Sequence, residues 1–159
     1  MPATERENFL LFHESAFKED IELSRRIVAD FPRWSIISGY YAMHDITKWY
    51  LGKRFNIKIG PPDIHGQTVR ALEQFIEDPT LKTRVIQLLR NAKDIYFDVE
   101  RLKEKTLSAL LKKGRQDRAK SQYYSSDFSH KSDLSVKRAG DFLKTIVEPY
   151  VRLVQELMA

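Results

Sequence analysis

The chain of 159 residues lacks cysteine, which excludes disulfide bonds and thiolate metal ligands. Its six glycines match neither the P-loop nor the GxGxxG spacing, which argues against these two kinds of phosphate-binding loop. No apolar stretch approaches the roughly 20 residues that cross a bilayer, and residues 1–12 do not resemble a signal peptide. We therefore expect a soluble, cytoplasmic protein with no membrane segment, no resident metal and no cofactor.

The composition favours a single helical domain covering residues 1–159. Hydrophobic residues make up 42% of the chain and charged residues 31%, which is typical of a globular protein with a real core. There are six glycines and six prolines, so long helices can form without frequent interruption.

Two long helices are predicted in the first third of the chain. Apolar residues recur at helical spacing from about Glu5 to Asp30, and Pro32 should end this first helix. From about Arg33 to Arg54, apolar residues cover most of a helix circumference, and the pair Tyr40-Tyr41 is interpreted as core. A helix of this kind is buried on several sides, so we expect it to be central in the bundle or shared with a second subunit.

Three further helices follow. The Gly-Pro-Pro sequence at 60–62 marks a loop, and Asp63 should cap a short helix from Ile64 to about Glu77. Thr80 is predicted to cap a long helix from Leu81 to Lys113, about 50 Å in length.

Residues 121–133 are polar and serine-rich, so we expect a loop there. A last helix should begin after Ser132 or Asp133 and reach Met158, with a kink at Pro149. No strand pattern is present. The predicted fold is therefore an all-α, up-and-down bundle of about five helices with one long helix.

Positive charge is concentrated in one quarter of the chain. Residues 101–138 hold 11 Lys or Arg and 4 Asp or Glu, whereas the remainder holds 16 and 18. Cations neutralise phosphates and aromatic faces stack on bases, although a basic segment can also be the solvated end of a helix. The candidate nucleic-acid- or nucleotide-binding residues are Lys112, Lys113, Arg115, Arg118, Lys120, Tyr123 and Tyr124.

The four histidines show no spacing typical of a metal site. His44 lies on the nearly all-apolar second helix, so we interpret it as a structural histidine with one satisfied hydrogen bond. A catalytic role or a contact with a nucleotide is the alternative for His44, and His44, Asp45 and Lys48 form a secondary candidate set.

The segment SGYYAMHDITKWYL at 38–51 resembles the second-helix signature of the HEPN domain family. The order of elements around it is similar as well, with a short helix opening near His65 and a final amphipathic helix. The segment RQDRAKSQYY at 115–124 resembles the stretch that carries Arg and Tyr before the last helix of the family. The resemblance covers most of the chain, from about Glu5 to Leu157.

This resemblance implies a small all-α homodimer from a prokaryotic defence or toxin–antitoxin system, often encoded beside a minimal nucleotidyltransferase. Many members are metal-independent ribonucleases with an Arg followed, after four to six residues, by a His. No His occupies those positions after Arg115 or Arg118. The pair Arg6 and His13 has the spacing, but about one such match is expected by chance and the family does not place its motif there.

Three hypotheses follow from the sequence. The first is a HEPN-like, non-catalytic nucleotide- or RNA-binding dimer. The second is a metal-independent ribonuclease toxin with an atypical site that recruits His44 or His130. The third is an interaction partner of a minimal nucleotidyltransferase, in which the second helix is buried against another subunit.

Overall fold

The computed structural model describes the backbone of residues 1–113 and 136–159 and the side chains of residues 1–101 and 136–159. Within these ranges the chain contains helices and no strand, which confirms the all-α bundle. None of these helices is long and apolar enough to span a bilayer. The helices are α1 (Ala3–Ile27), α2 (Pro32–Phe55), α3 (Ile64–Phe75), α4 (Pro79–Lys113) and α5, which covers 136–158 in the described range.

The first two helices form an antiparallel pair. In α1, His13, Phe17, Ile21 and Ser24 are buried, and their spacing of three or four residues places them on one face. The helix ends at Ile27, three residues earlier than expected. The proline at 32 is the first residue of α2, where its missing N–H costs no hydrogen bond.

The central position predicted for the second helix is confirmed. α2 packs against each of the other four helices, and 14 of its 24 residues are buried. The core interpretation is confirmed for Tyr40, which is buried, and is wrong for Tyr41, which is 45% exposed.

One predicted cap is confirmed and the other is wrong. The Asp63 side chain accepts a hydrogen bond from the backbone N–H of Gly66 and so caps α3. Thr80 does not cap α4, because the helix already begins at Pro79. The Asp78 carboxylate accepts from the N–H of Leu81 at 2.8 Å instead. Both Asp78 and Thr80 have side chains that can cap a helix. Proline is favoured at the first helical position, so a helix that starts at Pro79 is capped by Asp78.

The last helix is interrupted before Pro149. Residues Leu143–Val147 form a π-helical turn, and the α-helix resumes over Glu148–Met158 with the proline in its first turn. A proline in a regular helix removes one hydrogen bond and clashes with the preceding turn. The disturbance expected at Pro149 is therefore seen as a π-helical turn, which adds one residue to the helix.

The closest approach of α1 and α2 depends on small residues. Ser24 Oγ donates to the carbonyl of Ser35 at 2.8 Å, and Ser35 Oγ donates to the carbonyl of Ser24 at 2.7 Å. Both serines are buried. One turn further along α2, a Cβ on Gly39 would lie 3.1 Å from Ser24 Oγ and 3.1 Å from a methyl carbon of Val147. Gly39 therefore stands where α1, α2 and α5 meet.

A matched pair of glycine substitutions tests this packing. Gly39→Ala should lower the free energy of unfolding by about 1 kcal/mol, because overpacking outweighs the gain in helix propensity. Gly140→Ala should raise it by about 0.5–1 kcal/mol, since a Cβ on Gly140 meets nothing within 4 Å. Urea unfolding of both variants measures the difference. Equal effects at the two positions would show that the junction has room for a methyl group.

Candidate functional site

Most of the basic segment lies outside the described residues. Lys112 and Lys113 belong to the last turn of α4, and their side chains are not among those described. The remaining members of the predicted set fall outside the described backbone, and their role stays a prediction. They are Arg115, Arg118, Lys120, Tyr123 and Tyr124. The same holds for His130.

The secondary candidates do not form one site. His44 points to the side of α2 that faces α3, and its ring lies 5.8 Å from that of His65. Asp45 points to α1, where its carboxylate contacts His13. The charge of Lys48 acts on the His44 ring. Neighbouring positions on a helix diverge by about 100°, so His44 and Asp45 serve two different clusters.

The first of these is a tyrosine–histidine cluster between α2, α3 and α4, formed by Tyr40, Tyr41, His44, His65 and Tyr96. The rings of Tyr40 and Tyr96 are stacked with centroids 4.3 Å apart. The Tyr40 hydroxyl lies 3.1 Å from His65 Nδ1, and the Tyr41 hydroxyl lies 3.2 Å from that of Tyr96. His44 packs edge-on against Tyr40 at 4.7 Å.

Local structure explains why these side chains meet. Tyr40 and His44 are four residues apart and therefore share one face of α2. His65 is the second residue of α3, and the Asp63 cap fixes where that helix starts. Tyr96 faces α2 from the middle of α4. The sequence pointed to Tyr40 and Tyr41 as core residues and to His44 as a secondary candidate, but helix periodicity alone did not indicate which helices would face them.

The cluster has a buried floor and an exposed edge. Tyr40 and His44 are 5% and 6% exposed. Tyr41 is 45% exposed, and so is Phe97, whose ring contacts that of Tyr96. The ammonium of Lys93 lies 5.6 Å from the centroid of the Phe97 ring. Aromatic surface and positive charge therefore reach solvent at the same edge.

Burial favours the neutral forms of the His44 and His65 rings and of the Tyr40 and Tyr96 hydroxyls. Burial, reinforced by the charges of His65 and Lys48, lowers the pKa of His44 to about 3. Burial also lowers the pKa of His65, and the nearby cations Lys93 and Arg90 contribute. Desolvation raises the pKa values of Tyr40 and Tyr96. At neutral pH the cluster thus offers hydrogen-bonding atoms and aromatic faces, and it has no imidazolium to act as an acid.

The His44 ring carries an unsatisfied polar atom. Its Nδ1 is buried and has no hydrogen-bond partner within the described part of the chain. The burial predicted for His44 is confirmed. An unpaired buried polar atom costs about 1–3 kcal/mol, so the ring is held there by packing.

A second cluster, which the sequence did not reveal, joins α1 and α2. His13 Nδ1 lies 2.6 Å from a carboxylate oxygen of Asp45, and both side chains are largely buried. Phe9 and Phe12 pack edge-on against the His13 ring. The sequence did contain one indication that His13 is buried. His13 and Phe17 are four residues apart, which places both on the core face of α1.

Asp20 lies near this pair and is half-buried. The Ser38 hydroxyl donates to the Asp20 backbone carbonyl at 2.9 Å and lies 3.4 Å from its carboxylate. Burial raises the pKa of Asp20 to about 6, and the negative charge of Asp45 acts in the same direction. Half-buried carboxyl groups with raised pKa values occur at functional sites, so Asp20 is a candidate functional residue.

The Arg6 and His13 pair does not form a joint site through its described contacts. The Arg6 guanidinium donates to the carbonyls of Gly52 and Lys53 at 3.3 and 2.8 Å. This caps the C-terminal end of α2, where a cation is favourable. His13 is held by Asp45. Arg6 and His13 therefore have separate structural roles, which agrees with the interpretation that their spacing arose by chance.

Among the described residues, no three His, Asp or Glu side chains are grouped so that they could hold a metal ion. No family model, curated protein or solved structure matches this chain. The two clusters are therefore interpreted from their own geometry.

The neutral state of His44 predicts acid sensitivity. The unfolded chain takes up a proton near the ordinary pKa of 6.5, whereas the native ring does so only near pH 3. Stability should therefore fall as the pH drops from about 6.5 towards 3. We compare the free energies of unfolding of His44→Leu and of the original protein at two pH values. Lowering the pH from 7.5 to 5 should shift their difference by about 2 kcal/mol in favour of His44→Leu. Urea unfolding at both pH values checks this, and parallel pH profiles would contradict it.

Asp20 predicts a dependence of the opposite sign. Its native pKa is raised above the ordinary 3.8, so the native state retains a proton that the unfolded chain has released. This costs stability as the pH rises from about 4 to about 6. At pH 7, Asp20→Asn should be about 1 kcal/mol more stable than the original protein, allowing for solvent screening of this half-exposed group. This difference in stability should vanish near pH 4. A difference that persists at pH 4 would show that packing, and not the charge of Asp20, causes it.

Proposed function

We propose that the protein is a HEPN-like nucleotide- or RNA-binding protein that acts as a non-catalytic dimer, in a toxin–antitoxin or defence-type system. The observation that carries this proposal is the exposed edge of the tyrosine–histidine cluster. There, Tyr41 and Phe97 are each 45% exposed, and the ammonium of Lys93 lies 5.6 Å from the centroid of the Phe97 ring. Aromatic faces beside cations are the combination that single-stranded nucleic acids and nucleotides bind.

The aromatic side chains supply a stacking surface of defined orientation. Tyr41 is restrained by its hydroxyl contact with Tyr96, and Tyr96 is stacked on the buried Tyr40. A preorganised ring loses little entropy when a base stacks on it. Base stacking on a protein aromatic is worth about 1–3 kcal/mol and depends little on the base.

Positive charge at the same edge supplies the electrostatic contribution. Lys93 and Arg90 both help to lower the pKa of His65, while Asp63 and Asp94 act in the opposite direction. Arg90 also bridges to Glu73 at 3.3 Å, so Lys93 is the cation of interest at this edge. The basic segment that begins at Lys112 follows further along the same chain and adds to the positive surplus of residues 101–138. Phosphate groups bind to such charge through release of counterions, which makes the affinity dependent on salt.

The protonation states favour binding over cleavage. General acid–base catalysis of RNA cleavage needs groups that gain and lose a proton near neutral pH. The lowered pKa values of His44 and His65 disfavour the imidazolium form that would act as an acid in this cluster. His13 is held by Asp45 on the other side of α2, and the next titratable group there is the carboxyl of Asp20. Carboxylates repel a phosphate, so that cluster is a poor site for RNA.

Binding of a labelled single-stranded RNA, measured by fluorescence anisotropy over a salt series, tests the proposal. Tyr41→Ala should weaken binding about 5- to 100-fold through lost stacking. Lys93→Gln should weaken it and make the slope of log affinity against log salt shallower by roughly 0.7. Lys144→Gln, which removes the same charge from an exposed position of α5, is the control and should change little.

An affinity for RNA that is independent of salt, or equal losses in Lys93→Gln and Lys144→Gln, would contradict the proposed site. The same RNA should remain intact in excess EDTA. Its cleavage under these conditions would instead favour a metal-independent ribonuclease.

A further inference from the structure

Positive charge is unevenly distributed along α4. Residues 79–100 contain four Lys or Arg and three Asp or Glu, whereas residues 101–113 contain five Lys or Arg and one Glu. Both stretches belong to one continuous helix. The helix that carries Phe97 at the exposed edge of the tyrosine–histidine cluster therefore becomes strongly basic one turn further on.

A cation stands on each side of the Phe97 ring along α4. Phe97 and Arg101 are four residues apart and exposed, so they lie on the same side of the helix. Lys93 is one turn before Phe97, and its ammonium lies 5.6 Å from the centroid of the ring. We call Lys93, Phe97 and Arg101 the α4 track. Lys112 follows Arg101 by 11 residues, which is close to three turns, so its position is on the same side of the helix.

Acidic residues limit the positive charge at the rings themselves. Asp94 opposes the effect of Lys93 on the pKa of His65, and Glu100 acts on the neighbouring tyrosine ring. A phosphate group held at the rings alone therefore meets little net positive charge. A phosphate that reaches Arg101 and the residues beyond it meets the basic part of the helix, where the electrostatic contribution to binding is larger.

We infer that the ligand is a single-stranded oligonucleotide whose backbone follows the α4 track from the tyrosine–histidine cluster towards Lys112. One base stacks on Tyr41 and another on Phe97, because the two exposed rings come from different helices and both lie next to Tyr96, at 5.9 and 5.7 Å. The phosphates on either side of the second base then lie at the two cations of the track. A mononucleotide carries phosphate on one side only and leaves one of these cations unused.

The length of the helix sets the length of the ligand. At 1.5 Å per residue, the positions of Lys93 and Arg101 are about 12 Å apart along the axis, and those of Lys93 and Lys112 are about 29 Å apart. Nucleotides in a stacked strand are roughly 3.4 Å apart, and an extended strand covers more distance with each nucleotide. This part of α4 therefore accommodates roughly four to eight nucleotides. The inference rests on the proposed function, and it names the substrate class and the path of the strand.

Competition against a labelled RNA of eight uridines, measured by fluorescence anisotropy, tests the inference on the original protein. The competitors are uridine monophosphate and RNAs of two, four and eight uridines. Affinity should rise roughly 100-fold from the mononucleotide to the eight-nucleotide RNA, as stacking and phosphate contacts are added. A mononucleotide that competes as strongly as the longest RNA would overturn the inference and leave the proposed function standing.

A matched pair of substitutions on α4 locates the strand. Arg101→Gln should weaken binding of the eight-nucleotide RNA and make the slope of log affinity against log salt shallower by roughly 0.7. Arg84→Gln is the control and should change little, because Arg84 is an exposed cation of the same helix about 140° around the axis from Phe97. Equal losses in the two variants would overturn the proposed path.

A further variant separates stacking from charge. Phe97→Leu keeps an apolar side chain and should still lower the affinity for the eight-nucleotide RNA at least about 5-fold, since the aromatic face is lost. Circular dichroism and urea unfolding confirm that each variant folds. Polyglutamate has negative charge without bases and should compete poorly. Competition equal to that of RNA would show that charge alone is recognised and would refute the track.

The same measurements distinguish the inference from the proposed function. Binding that depends on Phe97 and Arg101 but is unchanged in Tyr41→Ala would refute the proposed tyrosine–histidine site and leave the α4 track standing. Absence of binding to RNA of every length would refute both.

Discussion

The close contact of α1 and α2 is the constraint on which the rest of the structure depends. The hydroxyl of Ser24 donates to the carbonyl of Ser35, and the hydroxyl of Ser35 donates to the carbonyl of Ser24. At Gly39, α1, α2 and α5 are so close that a Cβ would lie 3.1 Å from its neighbours. This contact sets the register of the two helices. It places Asp20 opposite Ser38 and His13 opposite Asp45, so the contact between His13 and Asp45 follows from the packing of two serines and a glycine.

The helices were largely predictable from the sequence, because apolar periodicity and proline act locally. The α3 cap at Asp63 was predicted for the same reason. The α4 cap was wrongly assigned to Thr80, because residues with capping side chains stand on both sides of Pro79. The clusters were harder to predict, since each joins different helices. Nothing local indicates that Tyr96 stacks on Tyr40 or that His13 meets Asp45.

The two sides of α2 differ in their electrostatics. On the side of α3 and α4, both the cations Lys93 and Arg90 and the carboxylates Asp63 and Asp94 act on His65. On the side of α1, Asp20 and Asp45 accumulate negative charge around His13. The two sides of α2 therefore contact surroundings that differ in their charged groups.

The π turn at Leu143–Val147 also has a consequence for comparison with related chains. One extra residue in a helix rotates everything that follows it by about 100° relative to what precedes it. Phe142 before the turn and Tyr150 after it are both buried, and the Tyr150 hydroxyl lies 2.6 Å from that of Thr47. A homologue that lacks this residue would have to rebuild its C-terminal core face, so aligned sequences should carry the insertion and a polar partner for Tyr150 together.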